Sequence, residues 1–315
     1  MSITPGYKSK ARFMQVGIKR PADAKGIDYI AEGVTPLAIQ TNGLTTTSWE
    51  SEQISRDLDN GKNGAQPVIH TGEMISVSGA VEMAGSGSAN TPAAWSPLME
   101  MSGYDINTST ATEVSHNRIL TAEDELDGTI YFRWQGMYHI LLAGKVTLGT
   151  SAKIGEIGKI NFEAKGVYGG TLEGAMPNGD FSAFVQPVQL STANTSFSLD
   201  GQLLNMFEFE MAQNNAIEID EGTELKQVFI SDWAEEGKVI IEQPALSTFD
   251  PFAIARVNTL LPFEFTHGLT TGNIFKQSST GVQIMSVDPG EHKGKATWEL
   301  GLRVITGHDS IITTL

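Results

Sequence analysis

The chain has 315 residues, 40% hydrophobic and 18% charged, enough for two ordinary domains with cores of their own and without a disorder signature. It has no cysteine, which excludes disulfides and thiolate metal sites. Residues 1–25 carry a balance of +5, leaving −21 for the rest of a chain whose formal total is −16; so acidic a body disfavours stable binding to nucleic-acid phosphates.

The first 32 residues read as a basic arm: Lys8, Lys10, Arg12, Lys19, Arg20 and Lys25 face only Asp23 in the first 25. No apolar run follows the charges, so the segment is not a secretory signal, and nothing in the chain approaches the roughly 18–20 continuous apolar residues of a membrane helix. A soluble protein made in the cytoplasm is expected. The arm is either a solvated tail or a segment that seats on an identical neighbour.

A first β-domain is expected over residues 33–170. Strands are predicted by alternation and β-branched content at 75–82, 129–134, 139–148 and 159–168. Gly85-Ser86-Gly87-Ser88 reads as flexible loop, and Thr91-Pro92 as the start of a short helix reaching Met101. Residues 104–144 read as an insertion, with Glu123, Asp124, Glu125 and Asp127 at a solvated hairpin tip. Gly155-Glu156-Ile157-Gly158-Lys159 lacks the spacing of a phosphate loop and reads as a hairpin turn. A Gly/Pro-rich linker at 171–180 leads to a second β-domain at 181–315. Strands are predicted there at 224–231, 238–242, 282–287 and 295–306, and Asp250-Pro251-Phe252 repeats the helix signal.

The two halves share a pattern. Residues 145–168 overlay 281–304 without a gap at an offset of 136, matching Gly158, Lys159, Phe162 and Glu163 with Gly294, Lys295, Trp298 and Glu299. Three further anchors, Gly72 with Gly237, Pro97 with Pro262 and Gly103 with Gly268, recur at an offset of 165. Because strand side chains alternate between faces, Glu163 and Lys165, and Glu299 with Arg303, are candidates for a wet sheet face.

Catalytic motifs are missing. The six histidines form no ligand pattern, Asp57–Gly61 fails the calcium-loop register, and no local spacing assembles nucleophile, base and orienting group. No metal or cofactor is expected. The five tryptophans are not interleaved with Lys or Arg and read as core or interface anchors.

Taken together, Met74–Glu82 with the Thr91–Gly103 helix, Ile130–Trp134 with the Gly158–Gly170 strand, and the carboxy-half stretches Phe229–Asp232, Val239–Pro244 and Pro262–Gly268 resemble the major tail tube proteins of long-tailed bacteriophages, of the kind with two tube domains. The resemblance implies a mainly β fold of two tandem tube-type β-sandwich or barrel domains, each with one short flanking helix. It implies a structural virion protein of the tail, assembled in the host cytoplasm, whose copies join edge to edge into rings. Three chains per ring are favoured, stacked into a tube that tape-measure protein and DNA pass through without specific binding. Tail terminator and tail-tip proteins would be its other partners. On this reading the basic arm and the acidic residues of the insertion are candidate contacts between rings, and the lumen is negatively lined. Two other classes stay open: a carbohydrate-binding or adhesin-like β-sandwich, and a hydrolase with a dispersed site in which an acidic residue such as Glu73 would act.

Overall fold

A computed structural model describes residues 11–19, 26–56, 58, 64–121, 125–134, 136–223 and 226–315. Lys8, Lys10, Arg20, Lys25, Glu123 and Asp124 therefore lie outside the described residues, as does most of the segment read against a calcium loop. The protein is mainly β, with two short helices, and among the described residues no helix is long and apolar enough to cross a membrane.

In the amino half the strands are β1 (Arg12–Lys19), β2 (Leu37–Ile39), β3 (Asn42–Ser55) and β4 (Val68–Glu82). Helix α1 (Ser96–Met101) and strands β5 (Tyr104–Asn107), β6 (Val114–Arg118), β7 (Asp127–Trp134), β8 (Gly136–Lys153) and β9 (Lys159–Gly174) follow. The carboxy half contains β10 (Thr195–Leu199), β11 (Gln202–Leu203), β12 (Met206–Ala212), β13 (Ala216–Glu221), β14 (Lys226–Asp232) and β15 (Glu236–Glu242). Helix α2 (Pro251–Arg256) precedes β16 (Leu261–His267), β17 (Phe275–His292), β18 (Lys295–Val304) and β19 (Ile311–Thr314).

Pairing runs β3-β4-β9-β8-β7-β1 in the first half and β12-β15-β18-β17-β16-β10 in the second, antiparallel throughout. One strand order thus occurs twice, in the same chain order, with a helix before β7 and before β16. Irregularities repeat as well. One extra residue bulges between Leu142 and Lys145 opposite Val167 and Lys165, and another between Ile284 and Ser286 opposite Leu302 and Gly301. A second pair falls at Asn42–Thr45 on β3 and Met206–Glu208 on β12. Bulges fix local twist and register, so their recurrence extends the likeness beyond strand order.

The predicted anchors do not survive as a set. Lys159 pairs with Ser151, but Lys295 pairs with His292, so the second hairpin is shorter and the gapless overlay holds only for β9 on β18. Pro97 sits in α1 whereas Pro262 sits in β16, and Gly72 has a positive φ of 60° that Gly237 lacks. The equivalent helix proline is Pro251. In α2, Asp250 caps the first turn by accepting from the amides of Phe252 and Ala253, while α1 begins only at Ser96, later than the Thr91-Pro92 signal.

The arm and the insertion also change. Residues 12–19 are not a tail: β1 pairs with β7 along its whole length and buries Met14 and Val16. Residues 127–134, assigned to the insertion, form the sheet strand β7, which corresponds to β16. What lacks a counterpart is the hairpin β5–β6, and β6 pairs with β19 at the other end of the chain. The linker shortens too, because β9 continues to Gly174.

Buried side chains of both halves share one apolar cluster. Trp95, whose indole N–H donates to the Ala84 carbonyl at 2.7 Å, lies 6.1 Å from Phe275, itself beside the stack of Phe265 on Phe209. The Gly85–Ser88 segment is not a loose loop. Gly85 donates to Asn273 Oδ1 and Gly87 to the Gly272 carbonyl, and a Cβ on Gly85 would meet that carbonyl oxygen at 2.1 Å. Only glycine allows this approach.

Candidate assembly surface

The halves join by strand pairing. The carboxy end of β8 carries β9 on one side and β12 on the other, with Glu208 opposite Lys153, Glu210 opposite Ser151 and Ala212 opposite Gly149. The ladder β3-β4-β9-β8-β12-β15-β18-β17 is therefore continuous across the joint. Directly opposed residues share a face, so the ladder assigns each side chain to core or solvent. Ala164, Phe162, Leu148, Ala152, Phe209, Met211, Val239, Ile241, Leu300 and Leu302 point into the core.

The opposite face carries Glu163 and Lys165 from the first half and Glu299 and Arg303 from the second, in one surface. Between them stand Thr147, Ser151, Glu210, Glu236 and Lys238. Most charges are paired: Lys165 with Glu163 at 3.2 Å, Lys153 with Glu208 at 3.5 Å, Lys238 with Glu210 at 3.7 Å and with Glu299 at 3.9 Å, Lys295 with Glu242 at 2.9 Å, and Arg303 with Glu236. Carboxylates outnumber cations on this face only narrowly. It is a mixed-charge surface, not the uniformly acidic one that the net charge suggested, and exposed pairs of this kind add little stability. At the joint it dips into an open trough whose polar lining includes Ser78, Thr147, Ser151, Asn161, Glu163, Glu210, Asn214 and Glu236, with Leu148, Phe162 and Met211 also lining it.

The continuous ladder ends in two open edges among the described residues. β3 pairs only with β4, and β17 from Ser286 to His292 pairs only with β18. The equivalent of that part of β17 is the part of β8 where β12 docks, and the equivalent of β12 is β3. Exposed edges invite pairing with another chain.

The other predicted residues lie elsewhere. Arg12 is exposed at the start of β1, opposite Trp134. Lys19 pairs with Glu32 at 3.7 Å. Glu125 and Asp127 are not at a solvated tip: both are buried against Lys145, a cation on β8. Glu73 accepts from the indole of the half-exposed Trp49 at 3.1 Å, and Trp49 lies 5.1 Å from His70.

Sequence reading missed a polar cluster between the halves. Glu235 is buried and accepts from the Ser310 amide at 2.8 Å, with the Tyr104 hydroxyl at 3.5 Å; burial, with Asp309 nearby, pushes its carboxyl up to about 7. Arg118 donates to Asn215 at 2.9 Å and lies 4.1 Å from the Trp233 ring, a cation–π contact. His116 is fully buried; its Nδ1–H donates to the Ile312 carbonyl and its Nε2 accepts from Ser96, both at 3.0 Å, and burial lowers it to about 4. Only contacts between residues far apart in sequence reveal these groups. No protein-family model matches the chain, and no curated protein matches it significantly.

Proposed function

We propose that the protein is a self-assembling structural subunit of a bacteriophage tail tube, built from two tandem tube-type domains, with rings closed by pairing β3 of one copy to β17 of the next. One observation carries the reading: the β8–β12 joint inside the chain uses the same strands whose counterparts are left open at its two ends. A chain that repeats its sheet and joins the repeats edge to edge holds within itself the contact a ring needs. Closure would remove both open edges. Three chains then supply six similar units, and the continuous polar face would line the lumen. Its paired charges leave a mildly acidic wall with little to hold a passing polyanion.

The internal joint supplies the register for the test. Glu210 faces Ser151; Glu210 ranks with Thr47 through Lys238 and Ser76, and Ser151 ranks with His292 through Lys159 and Lys295. Because the chain has no cysteine, the double variant Thr47→Cys, His292→Cys should yield disulfide-linked multimers on oxidation, and neither single variant should. Purified protein should form rings or tubes with threefold symmetry by electron microscopy. A monodisperse monomer at high concentration refutes the tube, whereas tubes without the linked ladder refute only the choice of edges.

A second reading, a carbohydrate-binding module, draws on Trp49, an exposed ring beside His70 and Glu73 that a sugar face could stack upon. Glycan-array binding without polymer formation would favour it.

A further inference from the structure

A second chemistry lies beside the assembly face, where Lys145 opposes Lys165, and does not depend on assembly. Asp127 opens β7 and Lys145 lies just past the bulge of the neighbouring β8, where Gly128 and Gly144 face each other across the ladder. The Lys145 Nζ is 3.0 Å from Asp127 Oδ1, 3.0 Å from Glu125 Oε2 and 3.0 Å from the Leu126 carbonyl. Side-chain exposure is 2% for Lys145, 0% for Asp127 and 11% for Glu125. Met101 and Leu141 fill the space beside the two glycines.

The contacts are unequal. Lys145 makes aligned hydrogen bonds to Glu125 and to the Leu126 carbonyl, but its approach to Asp127 is close without being aligned, and neither carboxylate oxygen of Asp127 has a hydrogen-bond partner. An interior carboxylate held by Coulomb attraction alone is a costly arrangement, because desolvation is repaid only when its remaining lone pairs are also satisfied. The lysine nitrogen is instead at contact distance from the one carboxyl with no other engagement, with a second carboxyl beside it as proton carrier.

We propose that Lys145 and Asp127 condense to an intramolecular isopeptide bond, with Glu125 as the proton shuttle. Glu125 accepts a proton from the Lys145 ammonium, and the freed lone pair attacks Cγ of Asp127. The Nζ–Cγ bond forms, one Cγ–Oδ bond breaks, and that oxygen leaves as water with two protons shed by the nitrogen and relayed by Glu125. An ammonium and a carboxylate thus become a secondary amide and one water, with no oxidant or cofactor, and Glu125 returns to its starting state. The product removes two charges from the interior, gives Glu125 an amide N–H to accept from, and ties β7 to β8 covalently beside the joint between the halves.

The test is the intact mass of the folded full-length chain, with tryptic mapping. The chain should be lighter by one water, and peptide 119–133 should be recovered joined to 134–153 with no cleavage at Lys145. Glu125→Gln, shown folded by circular dichroism, should regain the water and give 119–133, 134–145 and 146–153 as separate peptides. A full, unreduced wild-type mass overturns the proposal and leaves a plain buried ion triad. Loss of water with unlinked peptides also overturns it, since Asp127-Gly128 can close to a succinimide on its own. A linked Glu125→Gln chain overturns the role given to Glu125.

Discussion

Glu235 and His116 are buried at the contact between the halves, and their titrations should pull stability in opposite directions. Glu235 rises from its ordinary 4.5 to about 7, so the folded chain keeps a proton that the unfolded chain has lost; this contribution is complete below 4.5 and lost as pH rises through about 7. His116 falls from 6.5 to about 4, so its contribution is present above 6.5 and lost as pH falls towards about 4. Between 4.5 and 6.5 the slopes oppose, and the pair should leave a flat profile. Glu235→Gln keeps an acceptor for the Ser310 amide while removing the titration. At about 1.4 kcal/mol per pH unit, the span from 4.5 to about 7 is worth about 3 kcal/mol. The stability of the variant minus that of the wild type should therefore grow by about 3 kcal/mol between pH 4.5 and about pH 8, measured by urea unfolding across that range. A difference that stays constant with pH would refute the reasoning. In that case Glu235 is ionised in the fold.

Removing residues 1–25 should unfold the amino half and not merely weaken stacking, since it strips β1 from β7; loss of the near-ultraviolet dichroism would show it, and a native spectrum would contradict the placement of β1. Met14→Ala should destabilise the chain by about 2–5 kcal/mol in chemical denaturation, because the side chain is fully buried. Gly237→Ala should lower soluble yield sharply, since the new Cβ would meet the Glu210 carbonyl oxygen at 2.0 Å and push β12 off β15. Asp250→Ala should cost about 1 kcal/mol through the lost cap of α2, with little change in far-ultraviolet signal. Arg303→Met, on the polar face, should leave monomer stability within about 0.5 kcal/mol, as exposed ion pairs do.

Alternation made the sheet legible wherever one face is apolar and the other wet, as in Lys159–Tyr168 and Lys295–Val304, and the strand class followed from it. The same signal placed Glu163, Lys165, Glu299 and Arg303 together on paper, although only the β8–β12 pairing shows that they share one surface. β1 escaped because its Lys and Arg dominate by charge while Phe13, Met14 and Val16 carry the packing. The offset of 165 matched Gly and Pro by identity, but Ser76 opposite Lys165 and Lys238 opposite Gly301 set β15 on β4 at an offset of 162, so Gly72 and Gly237 miss one another by three residues and fall on opposite faces. Asp127 looked solvated because its partner, Lys145, lies on the next strand, and charge in sequence says nothing about a counter-ion brought in by the fold. Glu235 and His116 carried no signal at all, each being defined by neighbours distant in the sequence.

The ladder of β6 on β19 has a bearing on biogenesis. His116 and Ile312 are 196 positions apart, so a chain emerging from the ribosome presents β6 with an unmet edge until β19 has been made. Contacts of such long range slow the final step of folding. An edge left open for that long invites pairing with other chains until β19 docks.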